Sequence, residues 1–180
     1  MKARDAEVLL ATAVPGGAGV WADFGAGDGT FTRALAGLLG AGSRIYAVDR
    51  DADALASLEQ AAGTNGVELI PVAADFTRPV QLPGVPPEGL DGMIFANSLH
   101  FVSKPHLAVA RLLTWLRPGG SLVIVEYDGR RPNRWVPYPI PSARLPEVLA
   151  NAGLGPPTIT ATRASAYGGS LYVAVTTRDS

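Results

Sequence analysis

Apolar and polar positions change period along the chain, and the changes mark out its elements. From Ala3 to Ala13 the stretch ARDAEVLLATA puts its apolar residues on one helical face, and Pro15-Gly16-Gly17 ends it. Val20 to Phe24 reads as a short apolar strand, followed by the loop Gly25-Ala26-Gly27-Asp28-Gly29 and a helix from Thr30 to Leu39 that stops at Gly40 and Gly42. The unit repeats: Arg44 to Val48 is a strand ending in Asp49, and Ala52 to Ala62 is a helix closed by Gly63. Val67 to Val72 is a third strand, but the segment from Asp75 to Gly89 is rich in Pro and Gly and carries no clear helix. A loop of that length is a candidate functional segment. Gly92 to Ala96 is a fourth strand; Ser103 is placed to cap a helix with Pro105 in its first turn that runs to Leu116 and ends at Arg117-Pro118-Gly119-Gly120. Ser121 to Glu126 follows as a fifth strand. After a proline-rich segment from Asp128 to Pro141 come a helix near Ala143 to Ala152 and two alternating runs, Thr158 to Ala164 and Ser170 to Thr177, joined as a hairpin by Tyr167-Gly168-Gly169.

Strands separated by helices imply right-handed crossovers and a parallel sheet covered on both faces. The expected class is α/β, a three-layer α/β/α sandwich in which the closing hairpin inserts one antiparallel strand. No second core, internal repeat or linker interrupts the pattern, so a single domain over residues 1–180 is expected.

Composition narrows the function. Hydrophobic residues make up 47% and charged residues 17%, below the roughly 25% charged of an average domain, which points to a well-buried core. A formal net charge of -1 supplies no field for a polyanion, and Arg130, Arg131 and Arg134 form too short a stretch to change that, so nucleic acid is not indicated. The absence of cysteine removes disulfides, thiolate metal sites and Cys nucleophiles, and no metal is expected. The first residues carry Lys2, Arg4, Asp5 and Glu7 instead of a signal-peptide apolar region, and no apolar run approaches the roughly 20 residues of a membrane span. A cytoplasmic location with no membrane association is the resulting expectation.

The informative stretch is Asp23-Phe24-Gly25-Ala26-Gly27-Asp28-Gly29-Thr30. Glycines at a strand end let the chain turn sharply and let a ligand lie on bare backbone, while the next helix offers its N-terminal amides. A dinucleotide loop would need its third glycine one position later, where Thr30 stands. Asp23 and Asp28 repel a pyrophosphate but suit an amino group or a sulfonium. Asp49 ends the second strand roughly 20 residues on, where an acid accepts hydrogen bonds from ribose hydroxyls. Asp75 and Phe76 follow the third strand and suit an adenine, a carboxylate for its amine and a ring to stack on.

These residues resemble the class I S-adenosylmethionine-dependent methyltransferases, in the small-domain group that often methylates metabolites. Asp23 to Gly29 resembles the family's first motif, Val48-Asp49 its second, Ala74-Asp75-Phe76 its third, Asp91 to His100 its fourth, and Leu116 to Leu122 the turn before its fifth strand. The resemblance implies a Rossmann-like methyltransferase fold with a seven-stranded sheet whose last strand is antiparallel. It implies S-adenosylmethionine as cofactor, with Gly25 and Gly27 beneath its methionine part, Asp49 on the ribose, Asp75 on the adenine amine and Asn97 at the methionine end. Asp23, Asp28, Arg50 and Phe76 complete the expected binding set. Asn97-Ser98-Leu99-His100 departs from the Asn/Asp-Pro-Pro-Tyr form that goes with amino methylation of bases or glutamines.

Methyl transfer from a sulfonium uses an activated donor, so the protein mainly aligns, desolvates and, where needed, removes a proton. His100, just past the fourth strand, is the candidate general base or else a residue that caps or lines the pocket. His106 reads as a surface residue. Glu126, Tyr127 and Asp128 are substrate-side polar groups or an ordinary strand end; Trp135 and Tyr138 form an apolar wall over the acceptor or pack a loop on the sheet edge. Trp21 and Trp115 are expected in the core. The partner is a small-molecule methyl acceptor. A non-catalytic nucleoside-binding module is the alternative, and a nicotinamide oxidoreductase is disfavoured by Thr30 and by the lack of a Tyr-x-x-x-Lys pair.

Overall fold

The computed structural model describes residues 1–61, 66–166 and 168–179, the side chains of 59–61 excepted. The expected helix end at Ala62 and Gly63, and Tyr167 of the hairpin, lie outside the described residues.

Seven strands form one sheet: β1 (Val20–Phe24), β2 (Arg44–Asp49), β3 (Glu68–Ala73), β4 (Leu90–Ala96), β5 (Leu116–Asp128), β6 (Thr158–Ala164) and β7 (Ser170–Thr177). Their spatial order is β3-β2-β1-β4-β5-β7-β6. The first five are parallel neighbours, whereas β7 runs antiparallel between β5 and β6. The chain reverses its direction of growth between β1 and β4, so their carboxyl tips diverge and leave a crevice for a ligand.

Two apolar clusters cover the faces. On one, α1 (Ala3–Leu10) and α2 (Thr30–Leu39) bury Ala6, Leu9, Leu10, Phe31, Ala34, Leu35 and Leu39 against Trp21, Ile45, Ile94, Val123 and Val173. A smaller group joins α3 (Ala52–Ala61) to the sheet through Leu55, Leu58 and Ala47. On the other face α4 (Pro105–Leu112) and α5 (Leu145–Ala150) pack Val109, Leu112, Val148 and Leu149 onto Met93, Phe95, Leu122, Ile124 and Tyr172. This is the expected three-layer sandwich. No helix among the described residues is long and apolar enough to cross a membrane.

The missing third helix is replaced by the loop after β3. Val80 and Leu82 are buried under that face, Tyr46 Oη donates to the Pro83 carbonyl at 2.8 Å, and Arg44 donates to the Gly84 carbonyl at 2.9 Å. Two apolar side chains and two anchored carbonyls cover what a helix would otherwise cover. Pro71 sits in β3, which among the described residues pairs only with β2, so the lost amide faces no described strand.

Several boundaries differ from expectation. The helix before β5 is short: a 3-10 turn at Leu99–Phe101 precedes α4, and a second at Leu113–Trp115 follows it. Lys104, not Ser103, stands at the N-cap, because Pro105 takes the first helical position. Arg117 to Gly120 do not end a helix; they form an irregularity inside β5, where Leu90 pairs Leu116 and Gly92 pairs Ser121. Arg178 holds this excursion through its side chain, which donates to the Leu113 carbonyl at 2.8 Å and to that of Leu116, and through backbone bonds to Gly119 and Gly120. Trp115 is only half-buried on the core edge, whereas Trp21 is fully inside.

Candidate active site

One cavity of about 830 Å³ runs along the carboxyl edge of the sheet, within the roughly 300–1,000 Å³ usual for small-molecule sites. Its floor begins at the glycine loop. Gly25 and Ala26 donate their amides to the Val48 carbonyl at 2.8 and 3.1 Å, Gly27 donates to Asp49 Oδ2 at 2.8 Å, and Gly29 donates to the Ala26 carbonyl at 2.9 Å. The loop is therefore sewn to the tip of β2. Gly25 has φ +85°, and a Cβ there would lie 2.4 Å from Ser98 Cβ. Ser98 in turn donates its hydroxyl to the Phe24 carbonyl at 2.7 Å, locking β4's tip to β1's.

This wiring corrects one expectation. The first helical amide, Thr30, is taken by Asp28 Oδ1 at 3.0 Å, and Thr30 Oγ1 donates to the same oxygen at 2.8 Å. With the amides of residues 25–27 also turned inward, this surface is poorly suited to an anion such as a pyrophosphate and well suited to a cation.

The acids reinforce that character. Asp49 is half-buried, lines the cavity, and also accepts the Asp51 amide on Oδ1 at 3.0 Å. Each of its oxygens keeps a second lone pair for a hydroxyl. Asp28 and Arg50 are exposed at the rim and line the cavity. Asp23 is buried beneath the loop without lining it; Oδ2 accepts from Thr32 Oγ1 at 2.7 Å, and Oδ1 has no partner. Burial pushes its carboxyl up to about 7 against the bond from Thr32, and the charges of Asp49 and Asp28 push the same way.

Asp75 and Phe76 reach the cavity from β3. Asp75 Oδ1 accepts from the Thr77 hydroxyl at 2.6 Å and from its amide at 2.9 Å; these bonds, with Arg78 and Arg50 nearby, hold its carboxyl below the ordinary range. The Phe76 ring lies 6.4 Å from that of Phe24 and 5.7 Å from that of Phe95. Asn97, at the tip of β4, has φ +54°, the one positive value outside glycine among the described residues, and its buried Oδ1 has no partner. Asn97 lines the cavity, and asparagine is among the few non-glycine residues that adopt this left-handed conformation readily.

His100 does not line this cavity. It is buried, its Nδ1 lies 2.7 Å from Glu126 Oε2, and its amide donates to Glu126 Oε1 at 3.1 Å. Its ring sits behind Phe101 and Tyr127, with centroids 4.4 and 5.8 Å away, and both of those residues line the cavity. His106 is half-buried at the start of α4. Asp128 accepts the Ser142 amide at 2.7 Å, so it serves the chain path. Trp135 and Tyr138 are exposed and line no part of the cavity; the Tyr138 amide donates to the His100 carbonyl at 2.9 Å.

The far end of the cavity is made by residues the sequence did not single out: Phe101, Arg163, Ser165 and Leu171. Three of the four come from the β6–β7 hairpin, and only the strand order brings that hairpin to the same edge. Among the described residues there is no group of three or more His, Cys, Asp or Glu that could hold a metal.

A Rossmann-like sheet with an acid-rimmed glycine loop at its switch point defines a nucleoside-binding α/β protein. The family model for a methyltransferase domain matches residues 22–124, and the chain belongs to that family; it is a class I S-adenosylmethionine-dependent methyltransferase. Similar solved structures share the fold. A SAM-dependent methyltransferase from Aquifex aeolicus is 17% identical, covering 96% of this chain and 89% of its own, with a TM-score of 0.72. The 1,6-didemethyltoxoflavin-N1-methyltransferase of Burkholderia thailandensis, solved with 1,6-didemethyltoxoflavin and S-adenosylhomocysteine, is 24% identical over 99% of this chain and 78% of its own, with a TM-score of 0.70. The mitomycin 7-O-methyltransferase MmcR is 18% identical over 97% of this chain and 53% of its own, with a TM-score of 0.67. No curated protein matches the chain.

Proposed function

We propose that this protein, as one domain over residues 1–180, transfers a methyl group from S-adenosylmethionine to a small-molecule acceptor. The observation that carries the reading is the glycine loop, whose amides at Gly25, Ala26 and Gly27 turn inward to the tip of β2 while Asp49 faces the cavity. Those features suit a cationic nucleoside. Asp49 would accept from the ribose hydroxyls, with Arg50 beside it, and Asp75 with Phe76 would hold the adenine. Gly25 and Gly27 would pass under the methionine part, with Asp28 and Asn97 answering its ammonium and sulfonium charges, while Asp23 would support the loop from beneath. The bound group supplies an activated methyl; the chain supplies alignment and exclusion of water.

His100, one layer behind the wall, acts in this reading as a positioning residue. Through Glu126 it fixes the turn that carries Phe101 and the approach to Asn97. The solved neighbours described as acting on toxoflavin and mitomycin substrates support a small acceptor by analogy of fold alone.

Calorimetry tests the reading directly. S-adenosylmethionine and S-adenosylhomocysteine should both bind with one-to-one stoichiometry and NAD should not; tight NAD binding, or no binding of either adenosyl compound, overturns it. Transfer of labelled methyl from the cofactor into a pool of small metabolites then separates turnover from mere binding.

A further inference from the structure

The cavity is polarised from end to end. Every carboxylate that lines it, Asp28, Asp49, Asp51 and Asp75, belongs to the tip of β2 or to the loops after β1, β2 and β3. The other half, over the tips of β4, β5, β7 and β6, carries among the described residues no carboxylate and no His, Lys or Cys side chain; its ionisable side chains are Tyr127 and Arg163. Those two share a row: Tyr127 pairs with Leu171 across β5 and β7, and Leu171 pairs with Arg163 across β7 and β6. Residues paired in register project from the same face of a sheet. A flat aromatic ring, an aliphatic side chain and a guanidinium thus form one platform. Arg130 lies over the Tyr127 ring, its Cζ 4.4 Å from the centroid, and adds positive potential. Arg163 meets Asp5 in a loose, half-exposed pair at 3.4 Å and Met1 Sδ at 4.0 Å, and Met1 also lines the cavity.

Resting on the reading above, we propose that the methyl acceptor is a planar ring bearing an acidic hydroxyl, bound as its oxygen anion against Tyr127 and Leu171 with Arg163 as counter-ion. A half-site without a carboxylate, histidine or lysine is poorly equipped to strip a proton from an ammonium or an aliphatic alcohol. A guanidinium favours the ionised form of an acidic hydroxyl, whose proton passes to water on binding. The oxygen anion then supplies the pair for the new O–C bond, the carbon–sulfur bond breaks with its pair kept by sulfur, and no further proton moves. Such a site turns away aliphatic amines and leaves His100 free of any proton-transfer duty.

The test needs no turnover. Protein saturated with S-adenosylhomocysteine is titrated with 4-nitrophenol across pH, and the absorbance of the bound phenolate reports the probe's ionisation midpoint. The midpoint should fall by about one unit on binding, a tenfold preference for the anion, and benzylamine should not compete. Arg163→Met should abolish the fall while S-adenosylhomocysteine affinity stays unchanged; Asp5→Asn, which removes the carboxylate beside Arg163, should enlarge it. An unchanged or raised midpoint, no saturable binding of the probe, or a fall that survives in Arg163→Met overturns the proposal. Should Arg163→Met fail to fold, Asp5→Asn decides: a midpoint shift that does not grow is a refutation. If S-adenosylhomocysteine itself does not bind the wild type, the methyltransferase reading fails; if it binds and the phenolate is not favoured, only this inference does.

Discussion

At the scale of single residues, the site works by giving its charged groups two tasks. Asp49 both clamps Gly27 and faces the cavity. Asp49→Ala is expected to weaken S-adenosylmethionine binding by about 1.5–3 kcal/mol, the loss of charge-assisted hydrogen bonds, as measured by calorimetry. Asp23 makes the second case. Its carboxyl is raised to about 7, far above its value in the unfolded chain, so between about pH 4 and 7 the folded state holds a proton that the unfolded state has released. Stability contributed by this group therefore falls as pH rises through that window and is level above it. Urea midpoints should show wild type losing more stability from pH 5 to pH 8 than Asp23→Asn does; parallel profiles would dismiss this account of the buried acid. These acids were legible as residue types because a carboxylate at a strand tip needs a reason. The inward turn of the loop amides was not, since hydrogen-bond direction depends on the neighbouring strand.

At the scale of elements, the site depends on how strand tips are tied together. Glu126, fully buried at the end of β5, accepts both the amide and Nδ1 of His100 and thereby holds the turn after β4. Glu126→Ala leaves two buried donors without a partner and should cost roughly 2–5 kcal/mol in urea unfolding, with Glu126→Gln losing less. Gly92, in the middle of β4, lies against the Trp21 indole; a Cβ there would be 2.4 Å from the ring. Gly92→Ala should destabilise the sheet by about 1–3 kcal/mol in the same assay, since the ring has no room to retreat. Periodicity located β1, α2, β6 and β7 well because their apolar patterns are uninterrupted. It missed the start of β5, where Pro118 and two glycines read as a helix stop but are held in the strand by Arg178, sixty residues away. Proline punctuation is a local signal and a tether from the C-terminal end is not.

At the scale of the whole molecule, one sheet carries both halves of the cavity, so ligand binding and global stability are linked. With S-adenosylhomocysteine at one hundred times its dissociation constant, unfolding should remain a single transition raised by about 2.7 kcal/mol, or about 5–10 °C by calorimetry. Two separated transitions would contradict the assignment of one domain to residues 1–180. The amino-acid sequence by itself determined the α/β class, the succession of elements, the glycine turn and the acids at the first three strand tips, because apolar period and turn chemistry act between residues close in the chain. Tertiary structure decided the rest. It put β7 between β5 and β6 and so carried Arg163 and Leu171 to the edge where Asp49 stands, and it turned His100 into a buried partner of Glu126. Those outcomes depend on strand order and on which neighbour satisfies a buried polar group, and both are set only when distant segments pack.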